Sequence, residues 1–317
     1  MWKYIARRLL GAALVLWLVS VFVFITIRAL PGDALLVKLG DAGQLSEDKM
    51  EAARTEMGLD RPVFVAYFEW AGGFLKGDFG ESLIYDDVTV SSRMQQALPP
   101  TIELAILSSL ISIPLSLALG SIAALRQDTW ADYPIRVLAV AGISVPSFVV
   151  ATLLLLFTSR QLGYVPPFGW VDWWENPLKN AEQIYMPVAI LGFGISGTMM
   201  RMMRSALLEV LRQDYVRTAR AKGLQARTVF FRHSMRNAMV SITTLLGFQI
   251  VALISGSLLM EIMFSIPGMG RLTLTAIRER DYPQIMGNTM FFASVVVAAN
   301  LVTDLAYGLL DPRVTYT

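Results

Sequence analysis

The sequence predicts an all-α protein embedded in a membrane and built on six transmembrane helices. Three observations predict it: an apolar composition, six apolar stretches of spanning length, and basic residues gathered on alternate connections. Of 317 residues, 55% are hydrophobic and only 16% charged, and the mean hydropathy is +0.53. A water-soluble chain of this length carries more charge. The net charge of +2 argues against a nucleic-acid surface. With no cysteine and one histidine, His233, the chain offers no disulfide, no thiol nucleophile and almost nothing for a His-based catalytic or metal centre.

A bilayer core of roughly 30 Å requires about 20 mostly apolar helical residues. Six stretches meet this: about 9–30, 101–125, 135–158, 186–208, 237–262 and 284–310. The first follows Lys3, Arg7 and Arg8, as a signal peptide would, but it runs on to Pro31-Gly32-Asp33 without a small-residue cleavage site, so it reads as a retained span. The fourth is interrupted by Gly192, Gly194 and Gly197 and ends near Arg201. Pro114 and Pro146 are expected to kink the second and third spans.

Orientation follows from Lys and Arg in short flanks. With the N-terminus inside, the inner side carries fifteen bases: Lys3, Arg7, Arg8, Arg126, Arg136, Arg313 and nine between Arg201 and Arg236. Apart from the long first loop, the outer side carries six: Arg28, Arg160, Lys179, Arg271, Arg278 and Arg280. Both termini are therefore expected in the cytoplasm. The chain divides into a first span over 1–30, an outer loop over 31–98, a core over 99–311 with an inner loop near 201–236, and a tail over 312–317.

The outer loop, counted over 32–98, has twelve acids against six bases and two helix-like pieces, Ser46–Met57 and Pro62–Lys76. The second piece carries Val63, Phe64, Tyr67, Phe68, Trp70, Ala71 and Phe74. That is enough apolar surface to lie on the membrane or on a partner; packing across the outer ends of the bundle is the other reading.

The inner loop holds Asp214-Tyr215-Val216-Arg217-Thr218-Ala219-Arg220-Ala221-Lys222-Gly223-Leu224, with nine bases and only Glu209 and Asp214 as acids over 201–236. Asp214 is read as an N-cap and Gly223 as the left-handed residue that ends the helix. A helix of about two and a half turns should result, outside the membrane. Small Ala219 and Ala221 would let another surface approach, with Arg217, Arg220 and Lys222 adding charge.

This stretch, followed by Arg232-His233-Ser234-Met235-Arg236-Asn237-Ala238, resembles the cytoplasmic coupling (EAA) loop of binding-protein-dependent ABC importer permeases of the dipeptide and oligopeptide branch. Further segments resemble the same family in order: Pro31-Gly32-Asp33, Gly77-Asp78-Phe79-Gly80-Glu81-Ser82, Leu98-Pro99-Pro100-Thr101-Ile102-Glu103-Leu104, Gly142-Ile143-Ser144-Val145-Pro146-Ser147-Phe148 and Leu162-Gly163-Tyr164-Val165-Pro166. Beyond the loop come Glu261 to Arg271, Arg280-Asp281-Tyr282-Pro283, Asn300 to Asp304, Tyr307 and Asp311-Pro312-Arg313. Ser241 departs from the pattern, which has proline there.

The resemblance implies a type I importer permease fold in a bacterial inner membrane. It also implies a sibling permease subunit, two cytoplasmic ATPase subunits that grip the coupling helices, and an extracytoplasmic binding protein. ATP and magnesium would belong to the ATPase subunits, since this chain has no G-x-x-x-x-G-K-[ST] phosphate loop and itself carries no cofactor or catalytic role. The solute would be a peptide or, in related branches, a nickel chelate, glutathione, an oligosaccharide or an opine. A secondary transporter is the other transport class.

Other residues invite sharper readings. Gly194-Ile195-Ser196-Gly197 matches an intramembrane serine-protease pattern, but a serine nucleophile needs a nearby base and His233 lies in the basic loop, so close helix packing is preferred. Asp304, near the inner end of the last span, is read as a structural ion pair with an arginine such as Arg201 or Arg204, with a proton or cation relay as the rival. Glu103 reads as a solvated helix start. Trp170, Trp173 and Trp174 read as interfacial anchors or as contacts for a docked partner. Met199, Met200, Met202 and Met203 read as packing.

Overall fold

Where water is absent, backbone N–H and C=O groups must find partners within their own segment, so the long apolar stretches have helix as their one local solution. The structure, a computed structural model, describes residues 2–29 and 61–310. The expected Ser46–Met57 helix, Pro31-Gly32-Asp33 and Asp311-Pro312-Arg313 lie outside the described residues. Among the described residues, eleven α-helices of six residues or more follow in order: α1 (Trp2–Ala29), α2 (Val63–Leu75), α3 (Val90–Leu125), α4 (Asp132–Ser144), α5 (Ser147–Leu162), α6 (Pro177–Leu211), α7 (Asp214–Ala221), α8 (Arg236–Gly256), α9 (Leu258–Met263), α10 (Met269–Glu279) and α11 (Tyr282–Leu310). A three-residue helical turn, Ala226–Thr228, and a π-helical segment, Val229–Met235, lead into α8. The one bridge among the described residues pairs Glu81 with Thr89.

Among the described residues, five helical spans are long and apolar enough to cross a membrane, and a sixth is reached where α4 and α5, bent by 99° at their junction, are counted as one span. Pro146 therefore breaks the third span instead of kinking it. Proline lacks an N–H and pushes the preceding residue out of helical backbone. Val145 is accordingly extended, with ψ 116°, and Pro146 becomes the cap of α5. Pro187, in contrast, sits inside a continuous α6. With Ser241 in place of proline, α8 runs unbroken from Arg236.

The chain divides into two units, one from Met1–Ile5, Pro100–Ile266 and Ala299–Thr317, the other from Ala6–Pro99 and Pro267–Ala298. Lipid tails are as apolar as leucine, so helices in a bilayer are held by close packing and internal hydrogen bonds more than by burial. The first unit shows both. A Cβ on Gly197 would lie 2.6 Å from the Ala139 carbonyl oxygen, and one on Gly120 would lie 2.7 Å from Met203 Cβ. Met199, Met203 and Leu207 of α6 pack with Ala238 and Ile242 of α8, and Met200 packs with Ala123 and Ala139.

Buried polar groups pair between helices of the same unit. Ser116 Oγ donates to the Ser196 carbonyl at 3.2 Å, and Gln249 Nε2 donates to Ser112 Oγ. The buried carboxylate of Glu261 accepts from Thr101 Oγ1 at 2.9 Å and Ser257 Oγ at 2.7 Å. Glu103 is half-buried and accepts from Asn180 Nδ2 at 3.3 Å, so it is more than a solvated helix start.

In the second unit, α2 packs on the last turns of α1: Val23 and Phe24 cluster with Ala66, Tyr67, Trp70 and Met286. The start of α3 packs on α10 through Val90, Met94, Ala97 and Met269.

Candidate functional site

Only two residues, Arg212 and Gln213, separate the end of α6 from α7, so the link is made within one turn. Backbone bonds from Arg212 N to Glu209 O and from Gln213 N to Val210 O close the last turn of α6. Gln213 is left with extended backbone (φ −70°, ψ 147°) and takes the N-cap position. Asp214, expected as the cap, is instead the first helical residue. Its charge there still favours the positive end of the helix dipole, without a capping bond. The entry is held by Val216 N and Arg217 N bonding to Gln213 O, and by Thr218 Oγ1 donating to Asp214 O at 2.9 Å.

The end of α7 matches the expectation. Gly223 has φ +77°, its N–H bonds to Arg220 O at 3.0 Å, and Leu224 N bonds to Ala219 O at 3.3 Å. These are the two bonds of a Schellman motif, which needs a residue comfortable at positive φ. Glycine fits.

Two residues of α7 face inward. Val216, 1% exposed, and Ala219, 7% exposed, pack on Val229 of the π segment. Ala219 was expected to receive another surface together with Ala221; it is instead part of the anchor, because it shares a helix face with Val216. Asp214, Tyr215, Arg217, Thr218, Arg220, Ala221, Lys222, Gly223 and Leu224 are exposed. Arg217 and Asp214 pair at 3.7 Å with both side chains in the open, which adds little to stability.

The two halves of the loop motif meet. Asn237 Nδ2 donates to Tyr215 Oη at 3.1 Å and to the His233 carbonyl at 2.7 Å. The π segment widens the turn between them, a geometry that recurs at functional positions.

A second anchor near the loop went unforeseen. Arg204 of α6 forks onto Asp132 at the start of α4, Nε to Oδ1 at 2.9 Å and Nη2 to Oδ2 at 2.7 Å. Asp132 is fully buried and also accepts from Asp128 N at 3.0 Å. Arg204 thus serves Asp132 and not Asp304, whose carbonyl accepts from Tyr4 Oη at 3.2 Å. The competing carboxylate stands at the first residue of α4, 72 positions away, where nothing in the local pattern marks it.

Two motifs that looked unrelated in sequence also converge. Asp281, fully buried, accepts from Ser82 Oγ, from Leu83 N at 3.2 Å and from Arg93 Nη1 at 3.2 Å. Beside it, Tyr85 Oη donates to Glu279 Oε1 at 2.9 Å, and the Arg93 guanidinium lies 4.4 Å from the Tyr85 ring centre. The bond to Glu279, with burial and the Glu279 charge behind it, holds the Tyr85 phenol above its ordinary value.

The remaining candidates divide between packing and the surface. Ser196 is fully buried, and its hydroxyl donates to the Phe193 carbonyl at 2.6 Å. Trp170 bonds to Asp172 Oδ1 at 2.8 Å, while Trp173 and Trp174 stack edge to face and stay exposed. Met199, Met200 and Met203 are buried, and Met202 faces outward.

Comparison with known proteins identifies the family. Residues 116–316 match the family model described as binding-protein-dependent transport system inner membrane component, and residues 1–105 match the N-terminal model of the same systems. A Brucella abortus protein named as a peptide transport system permease is 38% identical over 312 residues, covering 98% of both chains. The oligopeptide transport system permease protein AppB of Bacillus subtilis is 33% identical over 315 residues, covering 99% of both. A crystal structure of an amino acid ABC transporter with histidines shares the fold, with TM-score 0.51 and 14% identity over 71% of this chain and 95% of that one. The chain belongs to the family of inner membrane components of binding-protein-dependent transport systems.

Proposed function

We propose that the chain is a membrane-spanning subunit of an ATP-driven importer of peptides, and that α7 is the lever through which partner ATPase subunits drive it. The observation that carries this reading is the build of α7. It is short, stopped by a glycine, anchored by Val216 and Ala219, and presents Tyr215, Arg217, Thr218, Arg220, Ala221 and Lys222 outward. A helix stiffened from behind and bare in front transmits a push without melting.

The placement of basic residues supports α7, the π segment and both termini on the cytoplasmic side, with the loop over 31–98 outside. Two ATPase subunits would then meet two such helices, one from this chain and one from a sibling permease, while an extracytoplasmic binding protein delivers the solute. The names of the relatives, which are peptide and oligopeptide permeases, support peptides as that solute.

The test uses the absence of cysteine from the chain. Arg217→Cys or Ala221→Cys in the assembled transporter should crosslink to an ATPase subunit and lose crosslinking when that subunit is omitted. Labelling of these positions from the extracytoplasmic side, or a failure to crosslink at either, would overturn the assignment.

A further inference from the structure

Helix α2 lies in the long first loop, yet its contacts with α1 are those of a membrane element. Along α1, Arg28 marks one end of the apolar run, and at 1.5 Å per residue Phe24 lies about 6 Å and Ser20 about 12 Å below it. Tyr67 of α2 reaches both: its ring meets Phe24 edge to face at 5.5 Å, and its hydroxyl bonds to Ser20 Oγ at 2.8 Å. Trp70 follows, 5.7 Å from the Phe24 ring centre. Two hydroxyls joined to each other is how polar groups are accommodated at a depth without water.

The faces of α2 complete the picture. At about 100° per residue, Ala66, Tyr67, Trp70 and Phe74 fall on the side packed against the protein. Phe64, Phe68 and Leu75 fall together on the neighbouring side, 79%, 69% and 85% exposed. Beyond them come Glu69, which bonds to Arg61, and Lys76. The helix thus has a protein face, an apolar face and a charged edge. At a comparable depth α1 exposes Leu18, Phe22 and Ile25, 52%, 71% and 54% open, along the stripe that a spanning helix turns to lipid.

We propose that α2 is an interfacial helix. It lies in the leaflet that holds the C-terminal end of α1, with Phe64, Phe68 and Leu75 among the acyl chains and the Glu69–Lys76 edge toward the headgroups. Its occupant is lipid, because the stripe carries no charge and its helix is held beside α1 at acyl depth by Tyr67 and Trp70. This part of the loop is then held to the membrane by two attachments, α1 on one face and lipid on the next. The inference rests on α1 crossing the bilayer and is independent of what the protein transports.

The test places a spin label at Phe68→Cys and, separately, at Glu69→Cys, in the full chain reconstituted in vesicles of phosphatidylcholine and phosphatidylglycerol. The expected result is that oxygen collides with the label at position 68 severalfold more often than a water-soluble nickel chelate does. At position 69 the preference should reverse. Equal nickel accessibility at both positions would overturn the proposal in favour of a water-borne loop. Protection of position 68 from both reagents would overturn it in favour of a protein partner. Should Phe68→Cys fail to fold, Phe64→Cys and Leu75→Cys give the same reading on the same stripe. ATP-driven uptake, measured separately, reports on the transport reading and leaves this one untouched.

Discussion

Ser82 donates a hydrogen bond to the fully buried carboxylate of Asp281 across 199 positions of sequence, and Arg93 closes the same carboxylate from α3. The pair fastens the segment before α3 to the turn between α10 and α11. Removing one partner of a buried ion pair strands the other, at a cost of about 3–5 kcal/mol, far more than an exposed pair is worth. Asp281→Ala is therefore expected to lower thermal stability in detergent sharply. Ser82→Ala should cost about 1.5–3 kcal/mol, the range for hydrogen bonds to charged groups. Equal stability of wild type and Asp281→Ala would contradict the arrangement.

The Asp132–Arg204 fork behaves similarly at the other anchor. Both bonds depend on the planar guanidinium, which lysine does not reproduce. Arg204→Lys is expected to destabilise the protein nearly as much as Arg204→Ala, and Asp132→Asn less than Asp132→Ala. Denaturation midpoints of the four variants check the order.

Neighbouring alanines on α7 test its anchoring and its proposed docking separately. Ala219→Glu would force a charge against Val216 and Val229, and is expected to loosen the loop, seen as faster proteolysis between α6 and α8. Ala221→Glu leaves the anchor intact and should reduce coupling of ATP hydrolysis to transport with stability unchanged. Gly223→Val must hold a β-branched residue at φ +77°, a strain of about 1–3 kcal/mol. It should therefore impair both loop stability and coupling.

A further prediction follows from the Tyr85–Glu279 bond. The folded protein holds the Tyr85 proton more tightly than an unfolded chain does, so the stabilisation is present below the ordinary tyrosine value. It is lost as pH rises through the higher folded-state value. Tyr85→Phe should thus be less stable than wild type at pH 8, and the gap should close at strongly alkaline pH. A gap that widens with pH would contradict the bond.

The long apolar spans, the α7 helix and its glycine stop are legible because each depends on local chemistry: apolar length, helix propensity and the positive φ of Gly223. The N-cap of α7 stands one residue earlier than its sequence suggests, since the two-residue link after α6 places Gln213, and not Asp214, in extended backbone. Ala219 was recognised as small, but the direction it faces depends on Val229, ten positions ahead. Pro146 was recognised as a disturbance, yet a break of 99° requires neighbouring helices that accept the exposed backbone.

By itself the sequence determined that the chain crosses a membrane, where its long apolar stretches run, and which family's motifs it carries, because periodicity and turn chemistry act over a few residues. Only the tertiary structure decided that Arg204 serves Asp132, that Ser82 and Arg93 share Asp281, and that α2 turns three apolar side chains away from the protein. Choosing a partner for a buried charge depends on which helices lie side by side. That is set by packing summed over the whole bundle and leaves no mark in the local pattern.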